Sequence, residues 1–140
     1  MQAVAKASVS TSRAYRIAPD DTNYFALLFD KEESGCEQVV VVEIFSVGGR
    51  TPPNTHEFAH EFFYVLAGEG VAICNGVATT LRKGDALLVR PGSEHVVENT
   101  GKGKLYTLTM MCPNEGFAEL IRAGVPVELD DEDRKVLGAA

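Results

Sequence analysis

The chain has 140 residues, of which 45% are hydrophobic and 24% charged, and its formal net charge is −7. This length and composition are typical of one globular domain. The acidic balance disfavours a nucleic-acid partner, because affinity for a phosphate backbone comes mainly from Lys and Arg. No apolar run approaches the roughly 20 residues that cross a bilayer, so we expect no membrane partner.

The N-terminal residues 1–14 contain no apolar segment of the kind that directs secretion. They are small and polar, and we expect a flexible tail. The three cysteines, Cys36, Cys74 and Cys112, are too few and too irregularly spaced for a disulfide framework. We therefore expect a cytoplasmic protein.

Short strands separated by turn residues are predicted across residues 15–113, which we expect to form the main domain. The predicted strands are residues 15–18, 24–29, 39–47, 61–66, 71–74, 77–82, 86–89, 95–98 and 104–112. Asn75-Gly76 predicts a tight type I′ hairpin, because both residues tolerate a positive φ. Many short strands with Gly-centred turns favour an all-β sandwich or barrel.

The pattern becomes helical in residues 114–140, which we expect to be an extension of the same domain. Apolar residues at helical spacing predict one helix, capped by Asn114; they are Phe117, Leu120 and Ile121. A run of acids from Asp130 predicts a second helix over residues 131–137, with solvated carboxylates at its positive end. Both helices are expected to be packing elements without ligand-binding residues.

The segment from His56 to His60 reads HEFAH and matches the zinc motif H-E-x-x-H of metalloproteases. That motif requires a long helix. Here Pro52-Pro53 lies just upstream, and the aromatic and β-branched residues 62–65 follow. The context contradicts a metalloprotease.

Strand periodicity favours a different site. Asn54 and His56 are two residues apart, so on a strand both side chains face one side. Glu61 opens the next strand, and His95 begins another after Pro91-Gly92. Written out, the spacing is Gly48-x5-Asn54-x-His56-x4-Glu61-x6-Gly68, followed by Gly84-x5-Arg90-x-Gly92-x2-His95-x3-Asn99.

These two segments resemble the motifs of the cupin superfamily, G-x5-H-x-H-x3,4-E-x6-G and G-x5-P-x-G-x2-H-x3-N. Asn54 stands where the family has its first His, and Arg90 stands where it has Pro. The resemblance implies a double-stranded β-helix, or jelly-roll barrel, with short C-terminal helices. It also implies one divalent metal ion inside the barrel, held here by His56, Glu61 and His95.

Two imidazoles and a carboxylate suit Fe, Mn, Ni or Zn and leave positions for substrate, water or O2. A fourth ligand has two candidates. Asn54 would bind through its amide oxygen or a water, whereas His60 would have to turn inward from the other face of its strand. A metal-free pocket that uses His56 and His95 for hydrogen bonds is a further alternative.

Three functions are consistent with this site. The first is a metal-dependent enzyme of dioxygenase type acting on a small organic molecule. The second is a non-catalytic protein that binds a small organic ligand. The third is a metal-independent isomerase or epimerase that uses a histidine with Tyr64 or Tyr106. Exposed strand edges also predict a homodimer, through the strands at residues 15–18 and 24–29.

Overall fold

The computed structural model describes residues 2–139; Met1 and Ala140, the ends of the predicted tail and helical extension, lie outside them. Ten strands and three short helices build an antiparallel barrel. The strands are β1 (Ala14–Arg16), β2 (Asn23–Phe29), β3 (Val39–Phe45), β4 (His60–Ala67), β5 (Glu69–Cys74), β6 (Val77–Arg82), β7 (Ala86–Val89), β8 (His95–Asn99), β9 (Leu105–Cys112) and β10 (Val125–Val127). The helices are α1 (Lys31–Ser34), α2 (Phe117–Arg122) and α3 (Asp131–Leu137).

Two sheets form the barrel. The larger has the strand order β10-β1-β2-β3-β9-β4-β7, and the smaller has the order β6-β5-β8. Every pairing is antiparallel, and the predicted all-β jelly-roll barrel is confirmed. None of the helices among residues 2–139 is long and apolar enough to cross a membrane.

The main core lies between the two sheets. Inward-facing side chains of the larger sheet pack against those of the smaller one; they are Phe45, Phe63, Val65, Val89 and Leu105 against Ala72, Leu81 and Val97. Alternation places every second residue of a strand on this face. The burial of β4 follows that rule up to Val65: Glu61, Phe63 and Val65 are buried, and His60, Phe62 and Tyr64 are exposed.

The predicted hairpin at Asn75-Gly76 is confirmed. Both residues have positive φ, 50° and 80°, as a type I′ turn requires. Cys74 pairs with Val77 across this turn, which joins β5 to β6.

The acid run from Asp130 differs from the expectation in one respect. Helix α3 begins at the predicted position, and Asp130 caps it by accepting a hydrogen bond from the Asp133 amide. Asp133 itself, however, is not solvated. Its carboxylate is fully buried and accepts hydrogen bonds from the hydroxyls of Tyr24 and Tyr106, each at 2.7 Å, and from Lys104 Nζ at 3.0 Å.

The remaining C-terminal elements also attach to the barrel. β10 pairs with β1, and α2 is held by Arg122, whose guanidinium donates to both carboxylate oxygens of the buried Asp30. At the other end of the chain, residues predicted as a tail form a 3-10 turn over Val9–Thr11, and Val9 packs against the cluster around Tyr24. Both termini therefore contribute to the packing of the barrel.

Candidate metal centre

Three side chains from the two sequence motifs meet inside the barrel. His56 Nε2 lies 3.1 Å from Glu61 Oε1, and His95 Nε2 lies 2.9 Å from the same oxygen. One donor atom from each residue lies within 4.8 Å of the other two. The structure thus brings together the three residues that the resemblance assigned to a metal ion.

Backbone contacts position these side chains. Glu61 lies on the inward face of β4, and His95 is the first residue of β8. His95 and Asn54 exchange both backbone hydrogen bonds, at 3.0 and 3.2 Å. The carbonyl of His56 accepts a hydrogen bond from the amide of Gly92 at 2.8 Å. These bonds hold the two motifs side by side, although about forty residues separate them along the chain.

Glu115 holds the loop between His56 and Glu61. Its carboxylate accepts hydrogen bonds from the amides of Glu57, Phe58 and Ala59, at 2.9, 2.6 and 3.0 Å. These bonds, led by that of Phe58, keep the pKa of Glu115 below its usual range. Sequence analysis missed this contact, because nothing in the spacing links residue 115 to a loop so far upstream.

Hydrogen bonding within the group favours its charged forms. Burial alone would favour neutral Glu61, but the bonds to His56 and His95 outweigh burial and hold the pKa of Glu61 below its usual range. Burial likewise opposes a charge on His95, and the bonds to Glu61 and the Ser93 carbonyl outweigh it and raise the pKa of His95. Without a metal ion, both shifts favour the charged forms of these side chains, ionised Glu61 and protonated His95.

The donor set fits a divalent metal ion. His95 Nδ1 lies 3.0 Å from the Ser93 carbonyl, to which it donates. Such a bond fixes the ring and directs Nε2 towards the group, as is common for metal-bound histidines. Two imidazole nitrogens and a carboxylate oxygen on one wall of a cavity match the ligands of open divalent metal sites.

The two candidates for a fourth ligand lie in different places. Asn54 lines the same cavity as His56, Glu61 and His95. His60 is exposed on the opposite face of β4, where it borders a surface groove with Phe62 and Met110. Asn54 therefore shares the cavity with the group, whereas His60 lies on the outer face of β4.

The group forms part of the wall of a cavity of about 210 Å³. Apolar residues form much of the rest of the wall; they are Ile17, Phe25, Pro52, Phe63, Phe117 and Leu120. Phe117 packs edge-on against Phe25, with 5.5 Å between the ring centroids. Helix α2, predicted to be a packing element only, thus also contributes Phe117 and Leu120 to this wall.

A second polar pair in the cavity was missed by sequence analysis. Asn23 Nδ2 donates to Glu43 Oε2 at 2.9 Å, and both residues are buried. Burial, and next the charge of Glu61, raise the pKa of Glu43 to about 8. Strand alternation could have identified Glu43, because it shares the inward face of β3 with Val41 and Phe45, whereas nothing in the sequence singled out Asn23.

The tyrosines proposed for proton transfer lie away from the group. Tyr64 is exposed on the outer face of β4, and Tyr106 belongs to the buried network around Asp133. Neither lines the cavity. Among residues 2–139, the isomerase hypothesis therefore lacks its tyrosine.

Comparisons with known proteins agree with this fold. An uncharacterized protein of Methanocaldococcus jannaschii is 28% identical over 97 residues, which are 69% of this chain and 78% of that protein. An oxalate-binding protein of Thermotoga maritima is 38% identical over 56 residues, covering 40% of this chain and 46% of that protein. The crystal structure of a predicted oxalate decarboxylase from Thermotoga maritima superposes with a TM-score of 0.67 at 26% identity, covering 75% of this chain and 96% of that one.

The family assignment follows from the match along the chain. The sequence model of the cupin domain matches residues 41–111, just over half of the chain. This range contains His56, Glu61 and His95, and the barrel built from it agrees with the resemblance found in the two motifs. The chain belongs to the cupin family.

Proposed function

We propose that this cupin holds a divalent metal ion through His56, Glu61 and His95 and acts there on a small organic acid, with dioxygenase-like chemistry. The observation that carries the proposal is the convergence of three metal-binding side chains on one point in the wall of a largely apolar cavity. Pockets of this kind, apolar with a few polar groups, are typical of small-molecule sites.

The chain's own residues have separate tasks in this proposal. His56, Glu61 and His95 would hold the ion, and the Ser93 carbonyl would keep the His95 ring in place. A bound ion would supply positive charge for an organic anion, and iron would add the redox chemistry that a dioxygenase needs. Phe25, Phe63 and Phe117 would exclude water from the ligand.

The charges of the cavity support an acid bound at a metal ion. The described lining residues include Asp21, Glu43 and Glu61 and no Lys or Arg. Without an ion, the described lining residues offer an organic anion no Lys or Arg to pair with. The likeness to an oxalate-binding protein, over part of the chain, also supports a small carboxylic acid.

The metal site is tested by elemental analysis. Protein produced with Fe, Mn, Ni or Zn supplied should carry a stoichiometric amount of one of them. His95→Ala should lower metal affinity by about tenfold or more, because the site loses one of three ligands. His60→Ala is the matched control and should retain the metal. Wild-type protein that holds no metal, or equal retention by both variants, would contradict the proposal.

A second candidate is a protein that binds a small carboxylic acid without transforming it. The similarity of part of this chain to an oxalate-binding protein favours this candidate. Metal-loaded protein is incubated with a panel of small carboxylic acids in air, while O2 uptake and recovery of each acid are measured. Uptake of O2 with loss of an acid supports the dioxygenase. Binding by calorimetry with full recovery of the acid supports the binding protein.

A further inference from the structure

Asn23 carries a buried carbonyl oxygen that has no hydrogen-bond partner within residues 2–139. Only 3% of the residue is exposed. Buried polar atoms are nearly always hydrogen-bonded, and each exception needs an explanation. This oxygen therefore indicates a hydrogen-bond donor that the described chain does not itself supply.

The amide of Asn23 is fixed in place by its neighbours. Its nitrogen donates to Glu43 Oε2, while Glu43 Oε1 accepts from the Thr109 hydroxyl at 3.3 Å. The hydroxyls of Thr109 and Thr107 lie 2.9 Å apart and extend this network. Because the nitrogen donates to Glu43, the oxygen of Asn23, a residue of the cavity wall, is left without a partner.

The position of Asn23 links it to the metal centre. Asn23 and Glu43 line the same cavity as His56, Glu61 and His95. A ligand in this cavity can therefore present one end to the metal centre and another to Asn23. An ionised carboxylate has only acceptors, so a second carboxylate at Asn23 would leave the amide oxygen unpaired and would lie beside Glu43.

We propose that Asn23 and Glu43 form a hydroxyl-binding subsite, and that the ligand is a small hydroxy acid. Its hydroxyl donates to Asn23 Oδ1, and its carboxylate faces His56, Glu61 and His95. This inference rests on the proposed metal site and narrows its ligand. The inference also predicts that oxalate is not the ligand, because ionised oxalate has no hydroxyl to donate.

The test uses full-length protein loaded with Mn²⁺ and isothermal titration calorimetry. Acids of increasing length are compared in pairs: acetate with glycolate, propionate with 3-hydroxypropionate, and butyrate with 4-hydroxybutyrate. In the pair whose length spans the cavity, the hydroxy acid should bind about tenfold more tightly than the unsubstituted acid. The reason is that its hydroxyl donates to the buried oxygen of Asn23. Equal affinities within every pair would overturn the proposal. So would tighter binding of the matching amino acids, glycine, β-alanine and 4-aminobutyrate.

Two variants test whether Asn23 causes the preference for a hydroxyl group. Asn23→Leu should reduce the hydroxyl preference, measured as the ratio of the two affinities within a pair, to less than about twofold. Glu43→Gln is the matched control, because its amide oxygen can still accept from Asn23, and it should keep the preference. A preference that survives in Asn23→Leu would overturn the assignment. If Asn23→Leu does not fold, the wild-type pairs alone decide.

The result also distinguishes this inference from the proposed function. Wild-type protein that binds neither Mn²⁺ nor any acid would overturn both. Protein that binds Mn²⁺ and the unsubstituted acids normally, with no preference for a hydroxyl, would overturn the hydroxyl subsite alone.

Discussion

Glu43 is an acid placed where its charge is unfavourable. Its pKa is raised from 4.5 to about 8, first by burial and then by the nearby Glu61, despite hydrogen bonds from Asn23 and Thr109. The folded protein therefore keeps the Glu43 proton at pH values where the unfolded chain has already lost it. Between those two pKa values the unfolded chain binds fewer protons, so this residue makes the free energy of unfolding fall as the pH rises.

Glu43→Gln should remove that dependence, because an amide does not ionise. In metal-free protein, the wild type should lose up to about 1.4 kcal/mol of unfolding free energy per pH unit relative to the variant, between about pH 5 and 8. Urea denaturation across this range measures the difference. Glu69→Gln, a change at an exposed acid, should leave the slope unaltered. Parallel curves for wild type and Glu43→Gln would contradict the prediction.

Glu115 positions the loop that joins His56 to Glu61, two of the three candidate metal ligands. Glu115→Ala leaves the amides of Glu57, Phe58 and Ala59 without their acceptor, so the loop should become less ordered. Groups that orient metal ligands commonly affect metal affinity, and we expect a loss of about tenfold for Mn²⁺. Calorimetric titration with Mn²⁺ measures the loss. Glu128→Ala, at another exposed acid, should bind as the wild type does.

At the scale of elements, helix α3 contributes one buried carboxylate, that of Asp133, to its contact with the barrel. Asp133→Asn keeps the shape but removes the charge that Tyr24, Tyr106 and Lys104 share. We expect a loss of about 2–4 kcal/mol in the free energy of unfolding, because Lys104 loses its buried partner. Thermal and urea denaturation measure it. Asp131→Asn on the exposed side of the same helix should cost little, and metal content should be unchanged in both variants.

Elements defined by local patterns were predicted well. The strands of the hairpin at Asn75-Gly76 and the start of α3 at Asp131 follow from turn chemistry and capping, which act within a few residues. Pairings between distant segments were not visible in the sequence. The pairing of β10 with β1 is an example, because it depends on how the whole chain closes. The four-residue helix α1 was missed, because a single turn has no periodicity.

The residues of the candidate site also differ in whether the sequence alone could identify them. His56, Glu61 and His95 were found because they lie in two spaced motifs, and the structure brings them together. Asn23 and Glu115 were missed because their roles depend on contacts made after folding. Asp133 was expected to be solvated, since a helix start rich in acid is usually exposed. Its burial is explained by hydrogen bonds from Tyr24, Tyr106 and Lys104, which the sequence did not link to it.

At the scale of the molecule, the homodimer stays a prediction, and the structure suggests where the contact lies. The N-terminal strand β1 has neighbours on both sides within the chain, β2 and β10. Apolar side chains instead lie exposed on the outer face of adjacent strands β9, β4 and β7; they are Leu108, Phe62, Tyr64 and Leu88. Tyr64 pairs with Leu108, and Phe62 with Leu88, so the patch is continuous.

A second copy of the chain is the partner that we predict for this patch. An apolar face on three adjacent strands, beside the free edge of β7, is the kind of surface that proteins usually cover. Light scattering at micromolar concentration should therefore show a dimer, and Leu108→Lys should convert it to a monomer. Val77→Lys, at an exposed apolar residue of the other sheet, should remain dimeric. A monomeric wild type would contradict the prediction.

The residues of the cavity wall come from two parts of the chain, one inside and one outside the range that matches the cupin domain. The candidate metal ligands and Glu43 fall within the stretch shared with the cupin domain, residues 41–111. Six other wall residues lie outside it; they are Ile17, Asp21, Asn23, Phe25, Phe117 and Leu120. Substitutions in these flanking segments would change the shape of the cavity while leaving the candidate metal ligands unchanged. Two relatives that align well over the shared stretch can therefore have cavities that fit different molecules.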